Sequence, residues 1–570
     1  MNDTVKDNTF TIVVGGAAGV GTRELGSTIA QTVAKNGYEV FASVDYPSLI
    51  RGGHNFSRIT FSRDMVFNDH SVIDILIAFD EQTITLHKNE LADDALVLAD
   101  SFSEEMREVL GDRAIVVPMN AFMKELSAPP ITKGSVMLGA MCCLLNISFD
   151  LVSGVLADVF KDKKADVNIA LAGKGYDEIA SRGIKHSKRF ESRGGEKSLL
   201  NGSVTFGQGL AKAALDFYVA YPMTPASPIL HYLAKAQKEL NLKVVQPENE
   251  LSVINMALGM VYAGKRTAIG TAGGGFALMQ ESFSLAGIAE LPLVIAMAQR
   301  QAPASGVPTY TSQADLLFTV HAGHGEFPRI VIVPGDVEES FYSGVDSLNL
   351  AWKYQLPVIV VFDKHLTESV MTGTINMENI NVEYGACAIE TDENYKRYQL
   401  KEDGISPLAF PGTPNTVVKV TSYEHDETGI TTEAAVEVTA MQDKRFAKIK
   451  EIVKEFGQYP TVKVYGDRNS KKVVVFWGST KGAVLEAAKY LEYPVKLLQI
   501  LWVEPFDTES VMAQLQDAEK IVDVEGNHDG QMASIIRQKT GIEITDRVLR
   551  YDSRPFDPRE LAEELDKILK

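Results

Sequence analysis

Short runs of β-branched and aromatic residues, each followed by a stretch with helical periodicity, recur along almost the whole of this 570-residue chain. The clearest run is Lys472–Gly478, whose continuous apolar character is typical of a strand buried on both faces. Strands that alternate with helices form parallel sheets, because a crossover is needed to bring the chain back to the same end of the sheet. The pattern therefore predicts an α/β protein built from doubly wound parallel sheets.

Breaks in this pattern divide the chain into three α/β domains joined by two other segments. In chain order, the segments are domain one (1–185), a charged linker (186–198), domain two (199–375), a turn-rich connector (376–470) and domain three (471–570). Within domain two we expect one helix over Gly209–Phe217 and another, rich in Ala, Met and Leu, over Leu251–Tyr262.

The composition excludes several classes of partner. Acidic residues outnumber basic ones by 75 to 56, and the resulting net charge of -19 repels nucleic acids and anionic lipid surfaces. No apolar stretch reaches the roughly 18 residues of a membrane span, and the polar start is unlike a signal peptide. The three cysteines show no CxxC spacing, so an iron–sulfur cluster or cysteine-ligated zinc does not fit this chain. We expect a cytoplasmic protein with no metal site of its own.

A glycine-rich segment, Gly15–Gly21, follows the first predicted strand and precedes a helix. Glycines at such a position let backbone N–H groups approach a phosphate. Asp45 ends the next predicted strand, at a spacing close to that of a dinucleotide-binding fingerprint. Three interpretations stay open: a tight strand-to-helix turn, a phosphate site for a nucleotide or coenzyme A, and an NAD(P) site. The candidate binding residues are Gly15, Gly19, Gly21 and Arg51, the last as a clamp for a phosphate or for a partner's carboxylate.

Three polar residues in domain two, at two places in the sequence, stand in apolar surroundings. Thr224 lies between two prolines, which fix the backbone and so aim its hydroxyl group. Glu248 and Glu250 lie at the start of the apolar helix, where one carboxylate is expected to cap the helix. A second carboxylate is costly to desolvate without a partner, which favours a bound ligand with a ring nitrogen.

A further candidate site follows the next two predicted strands. Gly273–Gly275 permit the close approach of a flat or phosphorylated ligand, although they also suit close helix packing. Arg300 ends a strand that is expected to be buried, and this places its guanidinium at the carboxyl edge of a parallel sheet, where ligands bind. The residues after Arg300, 301–310, are typical of a lid.

In this order the segments resemble one family, the 2-oxoacid:ferredoxin oxidoreductases, specifically the alpha subunit in which a γ-type domain is fused ahead of the α-type domains. The resemblance covers nearly the whole chain. Within the family, the fused arrangement is most similar to that of the 2-oxoglutarate branch. It is carried by Arg51-Gly-Gly after the glycine-rich start, Tyr221-Pro-Met-Thr-Pro, Glu248-Asn-Glu250, the loop Arg300–Leu316, Gly323–Arg329 and Trp477-Gly-Ser-Thr480.

The resemblance implies a γ-type domain, a thiamine diphosphate pyrimidine-binding domain and a transketolase C-terminal-like domain, in that order. It implies that a 2-oxo acid, with 2-oxoglutarate as the favoured substrate, is oxidised with coenzyme A to an acyl-CoA and CO2, or that the reverse reductive carboxylation takes place. Ferredoxin would accept the electrons. Thiamine diphosphate would be shared with a separate β subunit, in an αβ or α2β2 complex, and that subunit would carry Mg2+ and a [4Fe-4S] cluster.

The resemblance also assigns roles to individual residues. Glu250 matches the glutamate that hydrogen-bonds the aminopyrimidine ring of the cofactor. Arg300 matches the arginine that holds the carboxylate of the 2-oxo acid, and Thr224 matches the hydroxyl group beside the same substrate. The glycine-rich loop with Arg51 is assigned to coenzyme A. The segment Glu525–Gln531 is expected to serve packing between domains or an interface rather than catalysis.

One departure keeps alternatives open. Tyr310 stands where many relatives have a basic residue, so pyruvate or a branched 2-oxo acid remains an alternative substrate, unless a β-subunit lysine supplies the charge. Two other functions are also open: an NAD-dependent dehydrogenase built on the glycine-rich loop, and a non-catalytic assembly subunit.

Overall fold

The computed structural model describes residues 9–48, 53–161 and 163–570, and these form two compact units. Unit 1 contains the described residues up to Leu200, together with Ser369–Thr374 and Asp557–Glu560. Unit 2 contains Asn201–Glu368, Ile375–Phe556 and Leu561–Lys570.

Helices and strands alternate through most of the chain. Up to residue 201 they are β1 (Phe10–Ala17), α1 (Thr22–Lys35), β2 (Glu39–Asp45), β3 (His54–Ser62), β4 (Ile73–Ala78), α2 (Glu81–His87), β5 (Leu91–Ala99), α3 (Glu104–Leu110), β6 (Ala114–Val116), α4 (Met119–Glu125), α5 (Lys133–Leu145), α6 (Phe149–Val159), α7 (Lys163–Arg182) and β7 (Leu199–Asn201). Up to residue 372 they are α8 (Gly202–Lys212), β8 (Phe217–Ala220), α9 (Ser227–Ala236), β9 (Lys243–Val245), α10 (Glu250–Tyr262), β10 (Thr267–Thr271), α11 (Gly273–Leu278), α12 (Gln280–Ile288), β11 (Leu293–Gln299), α13 (Leu316–Val320), β12 (Ile330–Ile332), α14 (Val337–Tyr354), β13 (Val358–Asp363), α15 (Lys364–Glu368) and β14 (Val370–Thr372). The remainder are α16 (Ala435–Lys454), β15 (Val462–Gly466), β16 (Lys472–Trp477), α17 (Thr480–Ala487), β17 (Lys496–Ile500), β18 (Trp502–Glu504), α18 (Thr508–Leu515), β19 (Lys520–Glu525), α19 (Gln531–Thr540), β20 (Asp546–Leu549) and α20 (Pro558–Leu569). Among the described helices, none has the length and apolar character needed to cross a bilayer.

Unit 1 is built on an eight-stranded sheet in the order β6-β5-β4-β1-β3-β2-β14-β7. β1, β4, β5 and β6 are parallel to their neighbours in this series, whereas β3 is antiparallel to both β1 and β2. The sheet is mixed because the chain returns from β2 into β3 without a crossover helix. β3 is not predicted from the sequence, and it separates β2 from β1.

The charged segment predicted as a linker packs along unit 1. The N–H groups of His186 and Phe190 donate to the carbonyl groups of Leu144 and Leu145, at 3.1 and 2.8 Å. The Phe190 ring lies 5.0 Å from that of Phe10, edge on. The apolar periodicity of the sequence stops here because only a few side chains of the segment face the core.

Unit 2 contains two sheets that share one hydrophobic core. The seven-stranded sheet has the order β18-β12-β13-β11-β10-β8-β9, and the five-stranded sheet has the order β15-β17-β16-β19-β20. Each is parallel except for one edge strand, β18 in the first and β15 in the second. Val475 and Trp477 of one sheet belong to the same buried cluster as Ile295 and Met297 of the other. The α/β class predicted from the sequence is confirmed, with antiparallel strands added to the parallel sheets.

The helix predicted over Gly209–Phe217 is wrong in its position. α8 begins at Gly202, because the Asn201 side chain accepts hydrogen bonds from the N–H groups of Ser203 and Val204 at 3.0 and 3.2 Å. Phe217 instead begins β8, which pairs in parallel with β10. Asn201 was the sequence signal for the start of α8, and hydrophobic periodicity alone did not reveal it.

A buried ionic cluster attaches α16 to the core of unit 2. Glu290, whose side chain is 1% exposed, accepts hydrogen bonds from Lys444 Nζ at 2.8 and 2.7 Å and from Lys448 Nζ. Arg397 donates to the Glu290 carbonyl group at 2.9 Å. Burial alone raises the pKa of the Glu290 carboxyl group, but the charges of the two lysines outweigh it and hold that pKa well below its usual range.

Candidate functional site

The three polar residues singled out in domain two lie at the carboxyl edge of the seven-stranded sheet. Thr224 follows β8, Glu250 follows β9 and Arg300 follows β11. The strands β9, β8, β10 and β11 are consecutive parallel neighbours in the sheet, so their carboxyl ends lie side by side. Ligands of open α/β sheets bind at this edge.

Glu250 is the first residue of α10, but no carboxylate caps this helix. The cap is Asn249, whose side chain accepts a hydrogen bond from the Ser252 N–H group at 2.9 Å. The expectation of a carboxylate cap is therefore wrong, because the shorter asparagine occupies the extended residue before the first turn. Glu250 is only 6% exposed, and it forms no hydrogen bond or ion pair with any residue in the described ranges. A buried carboxylate without a protein partner is characteristic of a ligand site.

The glycines in the first turn of α11 make room for two carboxylates. A Cβ atom added at Gly275 would lie 2.9 Å from Glu250 Cγ and 2.2 Å from Thr271 Oγ1. One added at Gly273 would lie 2.2 Å from Asp315 Oδ2. A side chain at either position would displace an acidic group from the first turn of α11, so the role of these two glycines is steric.

Arg300 and Thr224 are brought into direct contact. Arg300 Nη1 donates a hydrogen bond of 2.7 Å to the carbonyl oxygen of Thr224. No other hydrogen bond of this guanidinium occurs within the described part of the chain. Burial lowers the pKa of Arg300, and the nearby Asp315 carboxylate raises it. Because only Nη1 is used in a hydrogen bond with the described residues, the other N–H groups of this guanidinium are available for an anion.

Two further residues of the site, Gln299 and Asp315, are not predicted from the sequence. The Asp315 N–H group donates to Gln299 Oε1 at 2.8 Å, which fixes the orientation of that amide group. Gln299 is fully buried, and its Nε2 has no hydrogen-bond partner among the described residues. Burial raises the pKa of Asp315 to about 6, although the positive charge of Arg300 opposes this.

A signal for Asp315 is present in the sequence. Asp315 directly precedes the apolar run Leu316–Val320, just as Glu250 directly precedes the apolar part of α10. Its environment also depends on Gln299, which is distant enough in sequence that no spacing rule joins the two.

The loop after Arg300 is closed at its base. The Gln301 N–H group donates to the Tyr310 carbonyl group at 3.2 Å, and the Val307 N–H group donates to the Gln301 carbonyl group at 3.0 Å. The Arg554 guanidinium lies over the ring of Tyr310, 4.0 Å from its centroid. The ring of Tyr310 thus contacts the positively charged side chain of a residue from a distant part of the chain.

The far end of the same loop is held by residues that lie much later in the chain, also in unit 2. Gln313 Nε2 donates to the Trp477 carbonyl group at 3.0 Å, and the Gln313 N–H group donates to the Gly526 carbonyl group at 2.8 Å. Gln531 Oε1 accepts from the Leu317 N–H group at 2.9 Å. These contacts agree with the prediction that Glu525–Gln531 serves packing between segments of the chain.

A separate cleft of about 600 Å³ lies in unit 1. Its lining includes Gly19, Gly21, Arg23, Asp45 and Asn55. Gly19 and Gly21 have φ angles of +88° and +90°, which favour glycine at both positions.

Two of the residues predicted for this cleft are placed differently. Gly15 lies within β1, where an added Cβ would meet Thr83 and His54 at 2.5 and 2.8 Å, and it does not line the cleft. Arg51 lies outside the described residues. In a dinucleotide-binding unit the first two strands are parallel neighbours. In this part of the described fold β3 lies between β1 and β2, so that pair is not formed. The strand order therefore argues against the NAD(P) alternative.

Within the described ranges, no group of three or more His, Cys, Asp or Glu side chains is arranged to hold a metal ion.

Two family models match the chain. Residues 208–444 match the thiamine diphosphate-binding family of pyruvate flavodoxin/ferredoxin oxidoreductases, and residues 11–178 match the pyruvate ferredoxin/flavodoxin oxidoreductase family. The first range includes Thr224, Glu250 and Arg300, and the second includes the cleft of unit 1.

Similar proteins extend over nearly the full length. The 2-oxoacid:ferredoxin oxidoreductase subunit alpha of a Sulfolobus species is 31% identical, over 98% of this chain and 96% of the relative. The corresponding subunit of Saccharolobus solfataricus is 32% identical, over 97% and 96%. The structure of a 2-oxoglutarate:ferredoxin oxidoreductase from Magnetococcus marinus, solved with 2-oxoglutarate, coenzyme A and succinyl-CoA bound, superposes with a TM-score of 0.90 at 30% identity, covering 99% of this chain and all of that one.

Proposed function

The chain belongs to the family of 2-oxoacid:ferredoxin oxidoreductase alpha subunits, and on this basis we propose that its substrate is 2-oxoglutarate. The proposed reaction converts 2-oxoglutarate and coenzyme A to succinyl-CoA and CO2, with two electrons passing to ferredoxin and one proton released, or runs in reverse. The observation that carries the proposal is the convergence of Glu250, Arg300 and Thr224 at one sheet edge. The 2-oxoglutarate bound in the Magnetococcus marinus structure supports this choice of substrate.

We propose that Glu250 holds the aminopyrimidine ring of thiamine diphosphate. The fit rests on a carboxylate that is 6% exposed, has no protein partner in the described ranges and lies against Gly275. When bound, the cofactor supplies the carbanion chemistry that decarboxylation of a 2-oxo acid requires. The part of Glu250 is to accept a hydrogen bond from the ring at its carboxylate oxygen and to hold or release a proton there.

Arg300 and Thr224 are proposed to bind the reacting end of the substrate. The Arg300 guanidinium pairs with the carboxylate next to the ketone, while its Nη1 contact with the Thr224 carbonyl group keeps it in place. The Thr224 hydroxyl group then lies beside the same substrate and fixes its orientation.

Coenzyme A is proposed to bind in the cleft of unit 1. The cleft is large enough for part of this cofactor, and Gly19 and Gly21 leave the backbone before α1 accessible. Asn55 and Arg23 add polar groups to the lining. Gly15 is not included in this proposal, because it packs inside the sheet.

The proposed partner is a β subunit that completes the active site in an αβ or α2β2 complex. Leu251, Met256 and Leu278 are 51, 45 and 55% exposed on α10 and α11, the helices that carry Glu250 and Gly275. Apolar side chains exposed next to a catalytic group support a subunit that covers them. We assign Mg2+, the [4Fe-4S] cluster and the docking of ferredoxin to that subunit, and we place the complex in the cytoplasm, where its three free cysteines stay reduced.

The direct product test uses the purified αβ complex, kept anaerobic, with isotopically labelled 2-oxoglutarate, coenzyme A and oxidised ferredoxin. Mass spectrometry is expected to find labelled succinyl-CoA. Formation of acetyl-CoA from pyruvate, with no succinyl-CoA from 2-oxoglutarate, would instead support the pyruvate alternative.

We expect the affinity for the 2-oxo acid to depend on the protonation of Asp315. Burial raises the pKa of this carboxyl group to about 6, and Arg300 lowers it. Above pH 6 the charged form competes with the substrate carboxylate for Arg300, so KM is expected to rise as the pH increases through about 6. An Asp315→Asn variant should keep the hydrogen bond from its own N–H group to Gln299 and lose this ionisation. Steady-state kinetics from pH 5 to pH 8 in a constant ionic strength buffer measure it, and a retained ionisation in the variant assigns it to another group.

A further inference from the structure

A second guanidinium is held at the base of the loop that begins with Arg300. Arg554 lies over the Tyr310 ring at 4.0 Å from the centroid, a distance at which the cation is attracted to the ring face. Its Nη1 group otherwise donates only a 3.3 Å hydrogen bond to the Ser553 carbonyl group within the described chain. The ring therefore holds this cation in one position. A surface arginine without such a contact would be flexible.

The positive charge of Arg554 is not neutralised by the protein. No carboxylate in the described ranges forms an ion pair with Arg554, whereas the neighbouring Arg550 contacts Asp552 at 3.2 Å. The Arg554 side chain is exposed, so an anion can reach it from solvent. A cation held in place without a partner is suited to an anionic ligand.

The backbone places this cation near the proposed substrate site. The Tyr310 carbonyl group accepts the Gln301 N–H group at 3.2 Å, and Gln301 directly follows Arg300. Tyr310 therefore links the two cations: its backbone is hydrogen-bonded to the residue that follows Arg300, and its ring lies against the Arg554 guanidinium.

We propose that Arg554 binds the distal carboxylate of a 2-oxo dicarboxylic acid whose first carboxylate is bound by Arg300. The proposal rests on the function proposed above, and it identifies the residue that selects 2-oxoglutarate over monocarboxylic 2-oxo acids. Tyr310 has a positioning role, because its ring holds the guanidinium. Removing a charged partner leaves one substrate carboxylate unpaired, so the loss is confined to substrates that have that group.

The test compares 2-oxoglutarate with 2-oxopentanoate, which has the same carbon chain without the distal carboxylate. In the αβ complex, Arg554→Ala is expected to raise KM for 2-oxoglutarate by about 10- to 100-fold, the usual effect of losing a charged hydrogen-bond partner. kcat should change little. The kinetic constant of 2-oxopentanoate, as substrate or as competitive inhibitor, and KM for coenzyme A should stay within about twofold.

Arg550→Ala is the matched control, since it removes a nearby arginine that already has a carboxylate partner, and it should leave both constants unchanged. Arg554→Lys should recover part of the affinity, because lysine keeps the charge but not the planar group. An unchanged KM for 2-oxoglutarate in Arg554→Ala, an equal loss for both 2-oxo acids, or a rise only in KM for coenzyme A would each overturn the proposal. Failure of the wild-type complex to use 2-oxoglutarate would instead overturn the proposed function and this inference with it.

Discussion

Glu250→Gln is expected to lower kcat of the αβ complex by about 100- to 10,000-fold, the usual contribution of a positioned proton-transfer group. Glutamine has nearly the same volume as glutamate and fits the space left by Gly275, so the fold and the assembly should be retained. The neutral amide cannot hold a proton in the way that a buried carboxylate does. Single-turnover kinetics of ferredoxin or viologen reduction measure the effect, with gel filtration to show that the complex is intact.

Glu248→Gln is the matched control for this experiment. Glu248 lies two residues earlier and is exposed, whereas Glu250 is buried. The same chemical change at Glu248 should leave kcat within about twofold. Equal losses in the two variants, or retained activity in Glu250→Gln, would contradict the role given to Glu250.

Glu290→Gln is expected to destabilise unit 2 by about 3–5 kcal/mol, the range found when one partner of a buried ionic group is removed. The substitution leaves Lys444, Lys448 and Arg397 around a neutral amide, in a place where water cannot solvate them. All three tryptophans lie in unit 2, so their fluorescence during urea denaturation reports the change. The comparison is made on the denaturation midpoint of this signal.

The pH dependence of Glu290→Gln provides a second readout. Because the folded state holds the pKa of Glu290 below its unfolded value of about 4.3, this group contributes stability above that pH, and the contribution is lost as the pH falls. The variant should therefore show a flatter loss of stability on acidification than the wild type. Glu451→Gln, which removes an exposed contact with Lys454, serves as the control and should leave the midpoint unchanged. An equal shift in both variants would show that the buried cluster has no special weight.

The sequence is most informative where a signal is local. The apolar run at Lys472–Gly478 predicts β16, and the acidic start of an apolar helix predicts the buried position of Glu250. Arg300 is placed at the sheet edge because the strand before it is apolar throughout. Each of these predictions depends on a few adjacent residues and on the strand or helix that they form.

Features that depend on contacts between distant segments are not predicted. β3 alternates weakly in sequence and is fixed by pairing with β1 and β2 on both sides. Asn249 replaces the expected carboxylate cap because the competition between neighbouring cap residues is decided by the backbone conformation. Arg554 reaches Tyr310 from 244 residues away, so that no spacing could reveal a cation beside this loop.

The measurement that tests the central claim most directly is viologen reduction by the anaerobic αβ complex, supplied with coenzyme A and either 2-oxoglutarate or pyruvate. We expect reduction with 2-oxoglutarate that requires coenzyme A and is much faster than reduction with pyruvate. If a complex that contains thiamine diphosphate and iron fails to reduce viologen with every 2-oxo acid supplied, the chain is an assembly subunit and the catalytic site proposed here is wrong.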